Sequence, residues 1–140
     1  MLSIMSVNWI SVILAVIAAF IIGMVWYHPK VFGTAWMKEM KIDPKKRMAE
    51  MKKGMGRGMA LMVISSFITA TILSVILSAT GAISLAQGLQ VGFWLWVGFY
   101  AAALLAGIAF EGMSTRLYLI KAGNTLVTIL VMAAILVTWA

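Results

Sequence analysis

Four stretches of this chain, 9–27, 58–79, 89–110 and 117–139, are long and apolar enough to cross a bilayer, and this restricts the fold more than any other feature. At 1.5 Å rise per residue, a helix of about twenty residues matches the thickness of the hydrocarbon layer. The first three stretches carry no charge, and the fourth is interrupted only by Lys121 and Asn124. A soluble domain of 140 residues could not bury a composition that is 64% hydrophobic and 11% charged; soluble chains carry about a quarter charged residues. Helices satisfy their own backbone groups in lipid. The expected fold is therefore an all-α integral membrane protein, four transmembrane helices in a bundle, forming a single domain over 1–140.

The charge is as uneven as the hydropathy. Of eleven Lys and Arg, nine fall within 28–57, against three acids, a net of +6 in a chain of net +7. A basic cluster can bind nucleic acid, but this one lies between two apolar spans, so the expected partners are anionic lipid headgroups rather than nucleic acid. Lys and Arg in short loops also set orientation. The loop 28–57 is basic and expected inside; 80–88 is uncharged and expected outside; 111–116 carries Glu111 and Arg116 and is expected inside. Both termini then lie outside, and the expected location is a bacterial inner (plasma) membrane. Residues 1–8 contain no Lys or Arg, so the first apolar stretch reads as a membrane helix rather than a cleaved leader.

The basic loop has structure of its own. Asp43-Pro44 reads as an N-cap followed by proline at the first helical position. Beyond it Met48, Met51 and Met55 recur at helical spacing among Lys45, Lys46, Arg47, Lys52 and Lys53. This predicts a short amphipathic surface helix, methionines toward the membrane and cations toward phosphate. Trp36 and Met40 form a second apolar face upstream, and Gly54, Gly56 and Gly58 suggest a hinge into the second span.

Small residues repeat every four positions: Ser11, Ala15, Ala19 and Gly23; Ser66, Ala70, Ser74 and Ser78; Gly88 and Gly92; Gly98, Ala102 and Ala106. Such stripes let helices approach closely in lipid. Whether they join helices of one chain or of several is open, and a homo-oligomer is expected.

Few residues can carry chemistry. His28, the one histidine, is either an interfacial residue or a pH-sensitive group. Glu111, Arg116 and Lys121 are either an ion pair pinning two helix ends or a site for an anionic headgroup or substrate. Lys121, Asn124 and Thr128 draw a polar stripe into the fourth span, which either lines a permeation path or joins helices by hydrogen bonds. Asn8, Gln87 and Gln90 are expected at the interface. Paired carboxylates, metal-spaced ligands, phosphate loops and nucleophile–base pairs are missing from the sequence, and the absence of cysteine removes thiolate chemistry; no cofactor or metal is expected.

Several motifs resemble a family of small membrane proteins catalogued as domain of unknown function 1761. They are Val7-Asn8-Trp9, Trp26-Tyr27-His28-Pro29, Phe32-Gly33-Thr34-Ala35-Trp36-Met37, Phe110-Glu111-Gly112, Leu119-Ile120-Lys121-Ala122-Gly123-Asn124 and Met132-Ala133-Ala134-Ile135-Leu136. The resemblance implies a multispan membrane protein and no established activity or cofactor. Its candidate residues are Asn8, Trp26, Tyr27, Pro29, Gly33, Trp36, Glu111, Gly112 and Asn124. Pro29 also reads as stopping the first helix, with Gly33 turning the chain and Thr34 capping the next segment. Three functions fit: an oligomeric transport or permeation protein, a structural or lipid-binding module without catalysis, and, least supported by the polar content of the spans, a small oligomeric membrane enzyme.

Overall fold

The computed structural model describes residues 3–54 and 56–139. Among them the chain is all-helical, without a β-strand. Four helices are long and apolar enough to cross a membrane: Trp9–Trp26 (α1), Gly56–Ala79 (α4), Leu85–Phe110, and Thr115–Thr138 (α7). The third of these consists of α5 (Leu85–Trp96), a π turn (Val97–Ala101) and α6 (Ala102–Phe110). The first and second spans are joined by a π turn (Pro29–Gly33), α2 (Thr34–Glu39) and α3 (Pro44–Lys52).

The helix ends follow local chemistry. Asn8 caps α1, its side-chain oxygen accepting from the Ile10 N–H, while its amide nitrogen donates to the Trp139 carbonyl and ties the two ends of the chain together. Asp43 accepts from the Lys45 N–H at 3.0 Å, with Pro44 at the first helical position, so a helix starts where the sequence places one. The third span begins at Leu85, earlier than the hydropathy alone suggests. Ser84 accepts from the Gln87 N–H, and Gln87 Oε1 accepts from the Ser84 and Ile83 N–H groups. This reciprocal box satisfies orphan donors of the first turn. Gly112 closes the third span at φ +68°, in the left-handed region, as the Met113 N–H returns to the Gly107 carbonyl. Met55, the last methionine of the expected surface-helix face, and with it part of the glycine hinge, lies outside the described residues.

Span four is the hub. It packs along both α1 and α5 and also meets α4, while α1 packs on α4. The buried centre is built from Val12, Ala15, Ala70, Met132 and Ala133, each between 0 and 1% exposed. In α1 the small residues Ser11, Ala15 and Ala19 face this centre, while Ile10, Ile13, Ile17, Ile21 and Met24 are exposed along the other face. Large apolar side chains outside and small ones inside invert the order of a soluble protein. Lipid as solvent removes the cost of the outer face, and the small inner face allows close helix contact. This is a membrane protein.

The Gly88–Gly92 pair packs within the chain. A Cβ on Gly88 would come within 2.5 Å of Val137 Cγ2, and one on Gly92 within 3.3 Å of Ala133 Cβ and Ile129 Cγ2. Gly98, Ala102 and Ala106 lie on the exposed side of the third span.

Candidate functional site

The segment between the first span and α3 folds back on the end of that span. His28 opens the π turn, its Nδ1 accepting from the Lys30 N–H at 3.1 Å. Pro29 follows at the first position, where a missing N–H costs nothing. Gly33 ends the turn pressed on the preceding backbone: a Cβ there would overlap the Tyr27 carbonyl oxygen and lie 2.8 Å from the His28 carbonyl carbon. The requirement at Gly33 is space rather than an unusual φ. Thr34 does not cap α2 as the sequence suggests. It is the first helical residue, and its hydroxyl donates to the Pro29 carbonyl at 2.9 Å.

This turn brings Phe32 back onto Trp26, ring centroids 4.6 Å apart, and Trp36 edge-on to Tyr27 at 5.3 Å. Arg47 of α3 stands 5.6 Å over the Trp36 ring, in the geometry of a cation–π contact. Trp26 in turn donates its indole N–H to the Ile120 carbonyl and rests on Gly123, whose Cβ would meet the indole at 3.0 Å. The aromatic residues and glycines of the motif are thus one knot that fixes the basic end of α1 to α7.

Beside the knot lies a polar cluster. The part-buried Tyr27 phenol adjoins the Asn124 amide and the Tyr100 phenol, so spans one, three and four each contribute one polar group. Asn124 Oδ1 is buried without a hydrogen-bond partner. An orphaned acceptor of this kind costs about 1–3 kcal/mol and marks a place where a donor belongs. Thr128 turns its hydroxyl to the Asn124 carbonyl at 2.7 Å, and the ammonium of the part-buried Lys121 has no partner among the described residues.

The row Asn124, Thr128, Met132 and Leu136 advances by four along α7, each step turning about 40°, so it winds about 120° around the helix from the polar cluster to the far end. Met132 is closed off at 1% exposure. Leu136 lines a cavity of about 210 Å³ at the opposite end of the molecule, together with Asn8, Ser11, Ser74 and Ser78. Two polar regions therefore flank one apolar plug, with Asn124 and Leu136 about 18 Å apart along the helix axis.

Other predicted residues are spread around this axis. Glu111 and Arg116 form no ion pair with each other or with Lys121 among the described residues. The Glu111 carboxylate instead folds over Gly107 of its own helix, where a Cβ would meet it at 3.3 Å. A helix end that closes through Gly112 leaves it pointing back along α6. Lys45, Lys46, Lys52 and Lys53 are exposed, as are Met48 and Met51. The described residues hold no group of three or more His, Cys, Asp or Glu able to bind a metal.

Sequence reasoning missed several polar contacts. Trp96 donates to the Ala122 carbonyl at 3.0 Å and to Thr125 Oγ1 at 3.2 Å, Tyr118 donates to the Ala101 carbonyl, and Ser114 donates to Glu39 Oε2 at 2.8 Å. The available signal was the placement of Trp96 and Tyr100 inside an apolar span, where a buried N–H or O–H needs a partner. Glu39 and Ser114, 75 positions apart, gave no such signal.

The motifs that build this end of the molecule fall within the region that matches a known family, residues 10–137. No curated protein and no solved structure matches the chain. With the family match covering nearly the whole sequence, the chain belongs to the family described as Protein of unknown function (DUF1761).

Proposed function

We propose that this protein is a small transport or permeation protein that passes a polar solute along the face of span four. Its four spans act as one bundle within a homo-oligomer in a bacterial inner membrane, with the basic loop inside and both termini outside. The observation that carries the reading is the orphaned Asn124 Oδ1. It sits on the row that leads through Thr128 to the Met132 plug and the serine-lined cavity beyond. Lys121 and Asn124 meet the solute at the inner end, Asn8, Ser11, Ser74 and Ser78 at the outer end, and Met132 closes the path between them. Methionine suits a plug, since its unbranched, polarizable side chain rearranges at low cost. The third span supports oligomerisation, because only 11% of its membrane-crossing window is buried, against 22–28% in the others.

Reconstitution into liposomes with a panel of small polar solutes and ions tests the proposal. Uptake by the wild-type protein that Asn124→Leu abolishes is the expected result. A wild-type protein that passes nothing across the panel overturns it.

A second reading, a lipid-binding module, is favoured by α3, where exposed Met48 and Met51 stand among exposed lysines. Vesicle binding by the protein that does not depend on anionic lipid content counts against it.

A further inference from the structure

A cleft of about 350 Å³ opens at the basic end of the molecule between the π turn, α2 and the start of α7. Its walls are apolar: Trp26, Phe32, Ala35, Leu119 and Gly123. One charged residue, Arg116, completes the lining. We infer that this cleft binds one anionic phospholipid from the leaflet on the basic side, an acyl chain lying between Phe32 and Leu119 and the phosphate resting on Arg116.

Three observations support this. The cleft has the size and character for an alkyl chain; an apolar cavity of about 150 Å³ already takes up benzene. Its walls are held in place, since the Trp26 indole is fixed by the Ile120 carbonyl, by Phe32 and by the surface of Gly123. Arg116 is free to bind an anion. It is exposed and makes no hydrogen bond or ion pair among the described residues. Neither Glu39 nor Glu111 forms an ion pair with it: Glu39 accepts from Ser114 at the start of the same helix, and Glu111 lies over Gly107. A guanidinium at the rim of an apolar cleft matches a phosphodiester above a hydrocarbon chain, and the planar fork favours two parallel hydrogen bonds to phosphate oxygens. The net +6 of residues 28–57 adds a field of the same sign. The bound lipid bridges α2 to α7. This site is separate from the lysines of α3 and requires only that the protein sits in a membrane, so it stands whether or not solute moves along span four.

The test is native mass spectrometry of the full chain, stripped of lipid in a neutral detergent and titrated with phosphatidylglycerol or phosphatidylethanolamine. One phosphatidylglycerol retained per chain is expected, in preference to phosphatidylethanolamine. Arg116→Gln should lower its affinity about tenfold, the scale of a lost charge-assisted hydrogen bond. Arg116→Lys should restore part of the loss. Ala35→Phe, which fills the cleft without touching the charge, should remove the adduct, while Lys46→Gln should leave it. Arg116 is exposed, so its substitution keeps the test valid even if Ala35→Phe fails to fold. Equal retention of the two lipids, or retention unchanged by Arg116→Gln, overturns the inference. So does displacement of the lipid by millimolar inorganic phosphate, which would make this a site for free anion.

Discussion

The Trp26 indole nitrogen donates to the Ile120 carbonyl, 3.0 Å away and 94 positions along the chain. That carbonyl belongs to a helix and already serves its own ladder, so Trp26 adds a second bond in a low-dielectric setting. A single side chain thereby fixes where the first span ends relative to the fourth. It also holds the floor of the apolar cleft and the approach to Asn124.

Replacing Trp26 with Phe keeps an aromatic ring beside Phe32 but removes the donor and the indole carbons that rest on Gly123. The expected loss exceeds the roughly 0.5–1.5 kcal/mol of one hydrogen bond, because packing on Gly123 goes with it, and it is read as a lower thermal midpoint in detergent. Trp96→Phe should cost a similar amount, because its indole N–H is shared between the Ala122 carbonyl and Thr125. Unchanged midpoints in both variants would mean that these bonds carry no stability.

Gly33→Ala should be far more damaging than its one added methyl group suggests. The methyl would overlap the Tyr27 carbonyl oxygen, part of the rigid backbone. Overpacking typically costs about 1–3 kcal/mol where side chains can adjust, and the backbone has less freedom to do so. Gly98→Ala is the contrasting case, since open space surrounds a Cβ there. Its thermal midpoint should equal or exceed that of the wild type.

Gly88 and Val137 should be energetically coupled. Gly88→Ala introduces a Cβ within 2.5 Å of Val137 Cγ2, and Val137→Ala removes that methyl group. A double-mutant cycle should return a favourable coupling of about 0.5–3 kcal/mol, the range seen for residues in contact. Strict additivity would place these two helices further apart than described above.

Asn124→Leu should separate stability from activity. It removes an unpartnered buried oxygen together with the amide's hydrogen bond to Tyr27; the two effects oppose each other, so the thermal midpoint should change little. Uptake in liposomes should fall. A variant that loses stability instead would show that the amide joins helices in the manner of a structural hydrogen bond.

The sequence made the helices legible because length and charge-free runs are one-dimensional signals. Asp43-Pro44 was equally legible, since a cap depends on neighbours two or three residues away. The start of the third span was not, because hydropathy does not register the Ser84–Gln87 box that extends the helix to Leu85. Asn124 stood out as an amide in an apolar run. Its association with Tyr27 and Tyr100 depended on how three helices meet, and local pattern carries no record of that. Proximity in sequence makes an ion pair of Glu111 with Arg116 or Lys121 one of two readings, the other being a site for an anion. The closing turn at Gly112 decides against the pair by sending the carboxylate back over Gly107.

The π turn at Val97–Ala101 divides the third span into halves that answer to different neighbours. Ahead of it, Gly88 and Gly92 seat on Val137, Ala133 and Ile129; within it, Ala101 receives the Tyr118 hydroxyl. A π turn accommodates one residue more than regular α-helix, and so takes up most of the rotation of about 100° that an added residue would otherwise impose on everything that follows. Deleting Gly98 would therefore be absorbed by the turn itself, which would close into regular α-helix and leave both halves of the span near their present neighbours, whereas the same deletion within α5 would rotate everything after it by about 100°. Between relatives, a one-residue gap at this point would record a bulge lost with both half-helices still in place, while the same gap elsewhere in the span would record a rotated half-helix.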